Sequence, residues 1–169
     1  MTVDATRRVP VPTKYIKVLS QYYSSNCQNL IALPGSENPD PSDSDRTPIP
    51  VVRLLPVPEF QKFCKEEYAK NQDLADVFIA LEELSIDKRT GRIRLSEGFM
   101  EHLDLPLGKS GTVRFVGISE RMELYSDAGY QRRLIRAQVK SNAYALRIKS
   151  GGLLVEAELN AGSNSGSDS

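Results

Sequence analysis

Apolar positions along the chain follow two periods, and the change between them marks out its elements. "NLIAL" (29–33) and "IPVVRLLPV" (49–57) are short apolar runs bounded by turn residues, which predicts strands. "PEFQKFCKEEYAKN" (58–71) brings Phe60, Phe63 and Cys64 to helical spacing, and "QDLADVFIALEELSI" (72–86) places Leu74, Val77, Phe78 and Leu81 on one helical face. From Arg92 the period shortens. "RIRL" alternates basic and apolar residues, as a strand with one wet face does. "SEGFMEHL" (96–103) predicts a short helix with Ser96 as N-cap, followed by turn chemistry over 104–111 and strands "TVRFVGI" (112–118) and "MELYS" (122–126) about the turn "SER". A last helix is expected over 127–142 with Asp127 as its cap, and a hairpin about Gly151–Gly152. Two stretches have little to bury: the Pro/Ser/Asp-rich 34–50, read as a loop, and the tail 160–169.

The pattern occurs twice. "VDATRRVPVPTKYIKVL" (3–19) aligns with "IDKRTGRIRLSEGFMEHL" (86–103): an apolar residue, an Asp, a polar turn with basic residues, an alternating strand and a short helix. Arg8 falls on Arg92 at a spacing of 84, and "LLPVPEF" (54–60) falls on "LYSDAGY" (124–130) at a spacing of 70, the 34–50 insert accounting for the difference. A tandem duplication is expected, with a first unit over 1–71 that carries the insert, a second over 72–137, and an extension over 138–169.

Charge is informative only locally. The chain has 22 Lys+Arg and 22 Asp+Glu in 169 residues, so its net charge predicts neither a nucleic-acid nor a membrane partner. Yet residues 87–94 carry Lys88, Arg89, Arg92 and Arg94 against Asp87, and residues 1–19 carry Arg7, Arg8, Lys14 and Lys17 against Asp4. An Asp beside a turn bonds backbone amides and fixes the turn's shape, and Gly91 permits the positive φ of a tight turn. The basic side chains then project from one edge, where phosphates or guanine edges are within reach. Residues 131–149 are also basic, with Arg132, Arg133, Arg136, Lys140, Arg147 and Lys149 and no acid; an exposed helix face is the expected reading, with a second nucleic-acid surface as the alternative. Tyr15, Tyr22 and Tyr23 are expected to pack within the first helix rather than stack on bases. His102 is expected at the surface or at a helix C-terminus. Two cysteines, Cys27 and Cys64, and this lone histidine are too sparse for a zinc cluster, and neither Ser96 nor Ser119 has a base partner. No enzyme, cofactor or metal site is expected. No apolar run approaches the roughly 20 residues that span a bilayer, and "MTVDATRRVPVP" lacks a signal peptide's apolar core, so a cytoplasmic protein with no membrane partner is expected.

The duplicated order, with "VPVPTKYIKVL", "VVRLLPVPEFQKF", "TGRIRLSEGFMEHLDL" and above all "GTVRFVGISERMELYSDAGY", resembles the MraZ family, bacterial regulators of the division and cell-wall gene cluster within the AbrB/SpoVT superfamily. The likeness covers about residues 3–137. It implies an α+β, mostly β fold: tandem AbrB-like repeats forming a swapped-hairpin β-barrel with flanking short helices. It also implies a nucleoid-associated homo-oligomer, in a ring, that binds duplex DNA and regulates transcription without a small-molecule substrate. The family's contact pattern, an Asp followed four residues later by an Arg with Gly just before it, falls on Asp4 and Arg8 in the first unit and on Asp87, Gly91 and Arg92 in the second, with Asp4, Asp87 and Gly91 shaping the turns. The adjoining basic residues Arg7, Lys88, Arg89 and Arg94 are expected to contact DNA beside them, and Lys14, after the first strand, to touch a phosphate. The sequence departs from that pattern in three places. Arg7 stands where the family has Gly, Asp87 lies five residues before Arg92 rather than four, and Ser96 replaces the proline that Pro12 keeps. Only three residues precede Asp4, where the family carries a short strand, so either that strand is truncated or the start of the chain is misassigned. Two alternatives remain at this level: a barrel scaffold that has lost specific DNA binding, which these departures would suit, and an AbrB-type antitoxin.

Overall fold

A computed structural model of the chain describes residues 1–23, 29–39, 45–70, 80–118 and 121–142. The alternating segments form strands β1 (Thr2–Val3), β2 (Arg8–Pro10), β3 (Asn29–Glu37), β4 (Ile49–Pro56), β5 (Glu82–Ser85), β6 (Arg92–Arg94), β7 (Gly111–Ile118) and β8 (Arg121–Ser126). Helices α1 (Thr13–Tyr22), α2 (Val57–Lys70) and α3 (Glu97–His102) lie between them, and 127–142 is helical. The protein is α+β and mostly β. Met1–Gln131 is one compact unit and Arg132 onward a second, of which the described part is helical.

In the first unit a curled six-stranded antiparallel sheet, ordered β1-β7-β8-β4-β3-β5, makes half a barrel, and β2 and β6 form a separate two-stranded ribbon. The ribbon's inward residues, Val9 and Ile93, meet Leu30, Val52, Leu54 and Leu124 of the sheet, Leu19 of α1, Phe99 and Met100 of α3, and Leu103 just after α3 in one buried core. Each such side chain contributes about 1.5–3 kcal/mol by leaving water.

The ladders have a regular arithmetic. β2 and β6 pair about Val9–Ile93, with Arg8 opposite Arg94 and Pro10 opposite Arg92. β4 and β8 pair about Arg53–Glu123, with Val52 opposite Leu124 and Leu54 opposite Met122. Positions 84 apart therefore exchange places across the first ladder, and positions 70 apart across the second. The hairpins β3–β4 and β7–β8 also share a register, at spacings of 83 and 70: Ile31 faces Leu55 as Arg114 faces Tyr125. At the centre of the second ladder Glu123 is buried, with its carboxylate taking Arg121 Nε and Nη2 at 3.1 Å, the Tyr125 hydroxyl at 2.6 Å and Arg53 Nε at 3.7 Å.

Four expectations need correction. Residues 34–37, read as part of a loop, are strand: Pro34 through Glu37 pair with Val52 through Ile49, the start of the strand expected over 49–57, and the burial of Ile49 and Val51 rewards the pairing. Pro34 is tolerated because β5 ends opposite Ala32, leaving β3 an edge strand beyond it. Residues 82–86 are strand-like rather than helical, since Leu84 and Ile86 point inward and Ser85 outward, a period of two. The last helix is capped by Ser126, whose Oγ accepts from Gly129 N at 3.2 Å, because the Asp127 carboxylate is taken by Arg114 Nε at 2.6 Å. Tyr15 and Tyr23 pack on the core, but Tyr22 is exposed. The Ser96 cap stands as expected, its Oγ accepting from Phe99 N at 3.2 Å. The readings of 40–44, 71–79 and 143–169, and of Cys27 and Ser119, fall outside the described residues.

Candidate nucleic-acid interface

The ribbon gives the basic residues one face. Strand alternation turns Val9 and Ile93 into the core, so Arg8, Pro10, Arg92 and Arg94 face outward. Arg8 and Arg94 are direct cross-strand neighbours, a like-charge pairing that destabilises an antiparallel ladder on its own. Both are exposed, and neither side chain has a hydrogen bond or ion pair among the described residues. Two arginines held side by side with no acid between them make a local field suited to an anion.

Each ribbon strand is entered through an Asp-centred turn. Asp4 Oδ1 accepts from Thr6 N (2.9 Å), Thr6 Oγ1 (2.7 Å) and Arg8 N (2.9 Å), and Asp4 N donates to Arg8 O (2.9 Å). Asp87 Oδ1 accepts from Arg89 N (2.9 Å) and Thr90 N (2.8 Å), and Asp87 N donates to Arg92 O (2.8 Å). Both carboxylates are held below their ordinary pKa. The Thr6 hydroxyl is the chief cause for Asp4, and the Thr90 amide for Asp87. The residue closing each turn has a left-handed backbone: φ is +65° at Arg7 and +64° at Gly91. The turns lock to one another through matching bonds, Val11 N to Gly91 O and Leu95 N to Arg7 O, both 2.9 Å.

The proposed contact residues thus divide into groups. Arg8 and Arg94 stand free on the ribbon, and Lys88 and Arg89 are exposed at the tip of the second turn, Arg89 feeling Asp87. Arg92 gives its Nη1 to Asp4 Oδ2 at 3.0 Å and keeps 41% of its side chain exposed. Arg7 is drawn off the ribbon to Glu97 at the start of α3, and only 22% of its side chain is exposed. Lys14 is exposed on the first turn of α1, where it lines a cavity. Asp4, Asp87 and Gly91 occupy the turn-shaping positions. The sequence reading missed Glu97 as the partner of Arg7. It also missed the adjacency of Arg8 and Arg94, which the alternation of both strands carried but which needed their register to become visible.

His102 ends α3, and its Nε2 lies 2.9 Å from Gly35 O and 3.1 Å from Val51 O. Carbonyls only accept, so Nε2 carries a proton and donates to both. Cys64 is a free thiol whose pKa burial pushes up, away from a reactive thiolate. Among the described residues no cluster of three His, Cys, Asp or Glu side chains is arranged to hold a metal ion, and no helix is long and apolar enough to cross a membrane.

Comparison of the chain with protein-family models, with curated proteins and with solved structures returned no match.

Proposed function

We propose that the protein is a DNA-binding transcriptional regulator of the MraZ type, built from two AbrB-like units whose hairpins are exchanged about the Val9–Ile93 and Arg53–Glu123 pairs. The observation that carries the reading is the β2–β6 ribbon: a core-facing Val9–Ile93 pair and an outward face of Arg8, Arg92 and Arg94, entered from both sides by Asp-fixed turns. A two-stranded ribbon fits the major groove of B-DNA, and arginine forks suit guanine edges and phosphates. The ladder spacings of 84 and 70 support the two-unit reading, since each ladder exchanges equivalent positions.

One ribbon makes few phosphate contacts and binds weakly at physiological salt. Linked copies in a homo-oligomeric ring would raise the affinity through effective concentration. The protein's place is then the cytoplasm, on the nucleoid.

A scaffold that has given up DNA binding is the second reading, favoured by the acids that engage Arg7 and Arg92. Fluorescence anisotropy decides between them, with duplex from upstream of the chain's own gene set against a scrambled duplex over a salt series. The regulator prefers the first duplex and has a steep salt slope, which Arg94→Ala flattens by about one unit. Equal weak binding to both duplexes by the folded protein supports the scaffold.

A further inference from the structure

The register correspondence pairs two helix–hairpin junctions in the first unit, and they are filled differently. Where α3 meets β3–β4, the His102 imidazole bridges Gly35 O and Val51 O, and Pro34 stands on β3. Where α1 meets β7–β8, the corresponding positions hold Val18 and Gly117, which can neither bridge nor fill. A Cβ built on Gly117 meets no atom within 4 Å, and a cavity of about 500 Å³ opens there. Its volume falls in the range of small-molecule sites, roughly 300–1,000 Å³.

The lining is amphipathic. Tyr15, Val18, Phe115 and Met122 supply apolar surface, two of them aromatic, and Lys14 and Arg121 supply positive charge, with no carboxylate among the lining residues. Arg121 is already engaged with Glu123. Lys14 is exposed and makes no hydrogen bond or ion pair among the described residues, which leaves it as the cation able to take a ligand's charge.

We infer that this cavity binds a small amphipathic monoanion: a flat apolar body between α1 and Phe115, with a carboxylate- or sulfonate-like head at Lys14. The bound molecule bridges α1 and the β7–β8 hairpin as His102 bridges α3 and the β3–β4 hairpin. This holds whether or not the ribbon binds DNA.

The test uses the full chain and the aromatic sulfonate 1-anilinonaphthalene-8-sulfonate, followed by fluorescence. One saturable site per chain is expected. Gly117→Leu, which grows into open space from an unstrained backbone, should weaken binding about tenfold or more, with an unchanged or higher urea midpoint. Val18→Phe, at the half-exposed rim, should do the same if the leucine variant fails to fold. Lys14→Gln should weaken the sulfonate about fivefold while leaving the uncharged N-phenyl-1-naphthylamine unaffected. The inference is overturned by the absence of saturable binding, by two equal sites per chain, or by affinities that neither filling variant changes. An equal loss of both probes in Lys14→Gln would overturn the anion assignment.

Discussion

The two Asp turns reach the same backbone endpoint by different chemistry. In the first, Asp4 O accepts from Arg7 N three residues on; in the second, Asp87 O accepts from Gly91 N four residues on. The extra residue changes what the carboxylate can reach. In the shorter turn Asp4 Oδ1 satisfies the local amides and Oδ2 is left over for Arg92 across the ribbon. In the longer turn Asp87 caps Arg89 and Thr90, and no bond joins it to Arg8. The shorter turn therefore tethers Arg92, and the longer one leaves Arg8 without an acid. Arg7, at the position that Gly91 holds in the second turn, keeps the left-handed backbone of a glycine and turns its side chain to Glu97. The lesson is that such a turn is specified by its hydrogen-bond closure more than by its glycine.

The largest effect should come from removing the free pair. Arg8→Ala and Arg94→Ala together should weaken binding to the upstream duplex by about 30-fold or more, at about 1–3 kcal/mol for each good arginine contact. Arg7→Ala should change it by less than about threefold, because that side chain is committed to α3. Anisotropy titrations at one salt concentration order the three variants. If Arg7→Ala matched the double variant, the division of the basic residues into free and engaged groups would be wrong.

Next comes backbone strain. Gly91→Val forces a β-branched residue to φ +64° and brings a Cβ to 3.3 Å from Ile16 Cδ1, so a loss of about 2 kcal/mol or more is expected from urea midpoints.

Much of this was legible from the residues. Alternation in "RIRL", the Asp beside each turn and the Ser96 cap are local signals, and the hydrogen bonds found at those places follow them. Non-local features were not legible. The Pro34–Glu37 segment has a loop's composition, and only its partner Ile49–Val52 makes it a strand. Leu84 and Ile86 follow directly on a helical pattern, so the change of period fell inside one reading window. The Arg7–Glu97 and Arg92–Asp4 pairs span 90 and 88 residues, and no sequence window connects them. The cavity beside Gly117 was hidden for a related reason: it exists only by contrast with His102, whose carbonyl partners lie on another hairpin.

A pH series sharpens the comparison further. Both carboxylates are more acidic in the folded protein than in the unfolded chain, so the unfolded state binds more protons in the acid range. Their contribution is present above the ordinary aspartate value, near pH 4, and is lost as pH falls through the lower folded values. Urea midpoints of the wild type between pH 2.5 and 6 should therefore fall more steeply on acidification than those of an Asp4→Asn, Asp87→Asn double variant.

The smallest expected effect is the most discriminating. Arg7→Gly removes a left-handed non-glycine residue, a relief of about 1 kcal/mol. It also gives up an exposed ion pair worth about 0–1 kcal/mol and adds unfolded-chain entropy of about 0.5–1 kcal/mol. The terms nearly cancel, so the urea midpoint should shift by less than about 1 kcal/mol in either direction. Glu97→Gln separates them, because it breaks the ion pair while leaving the strained backbone in place. A clear gain in stability for Arg7→Gly, with none for Glu97→Gln, would mean that backbone strain dominates at the first turn. A loss in both by the same amount would mean that the Arg7–Glu97 pair, rather than the Asp4 closure, holds α3 against that turn.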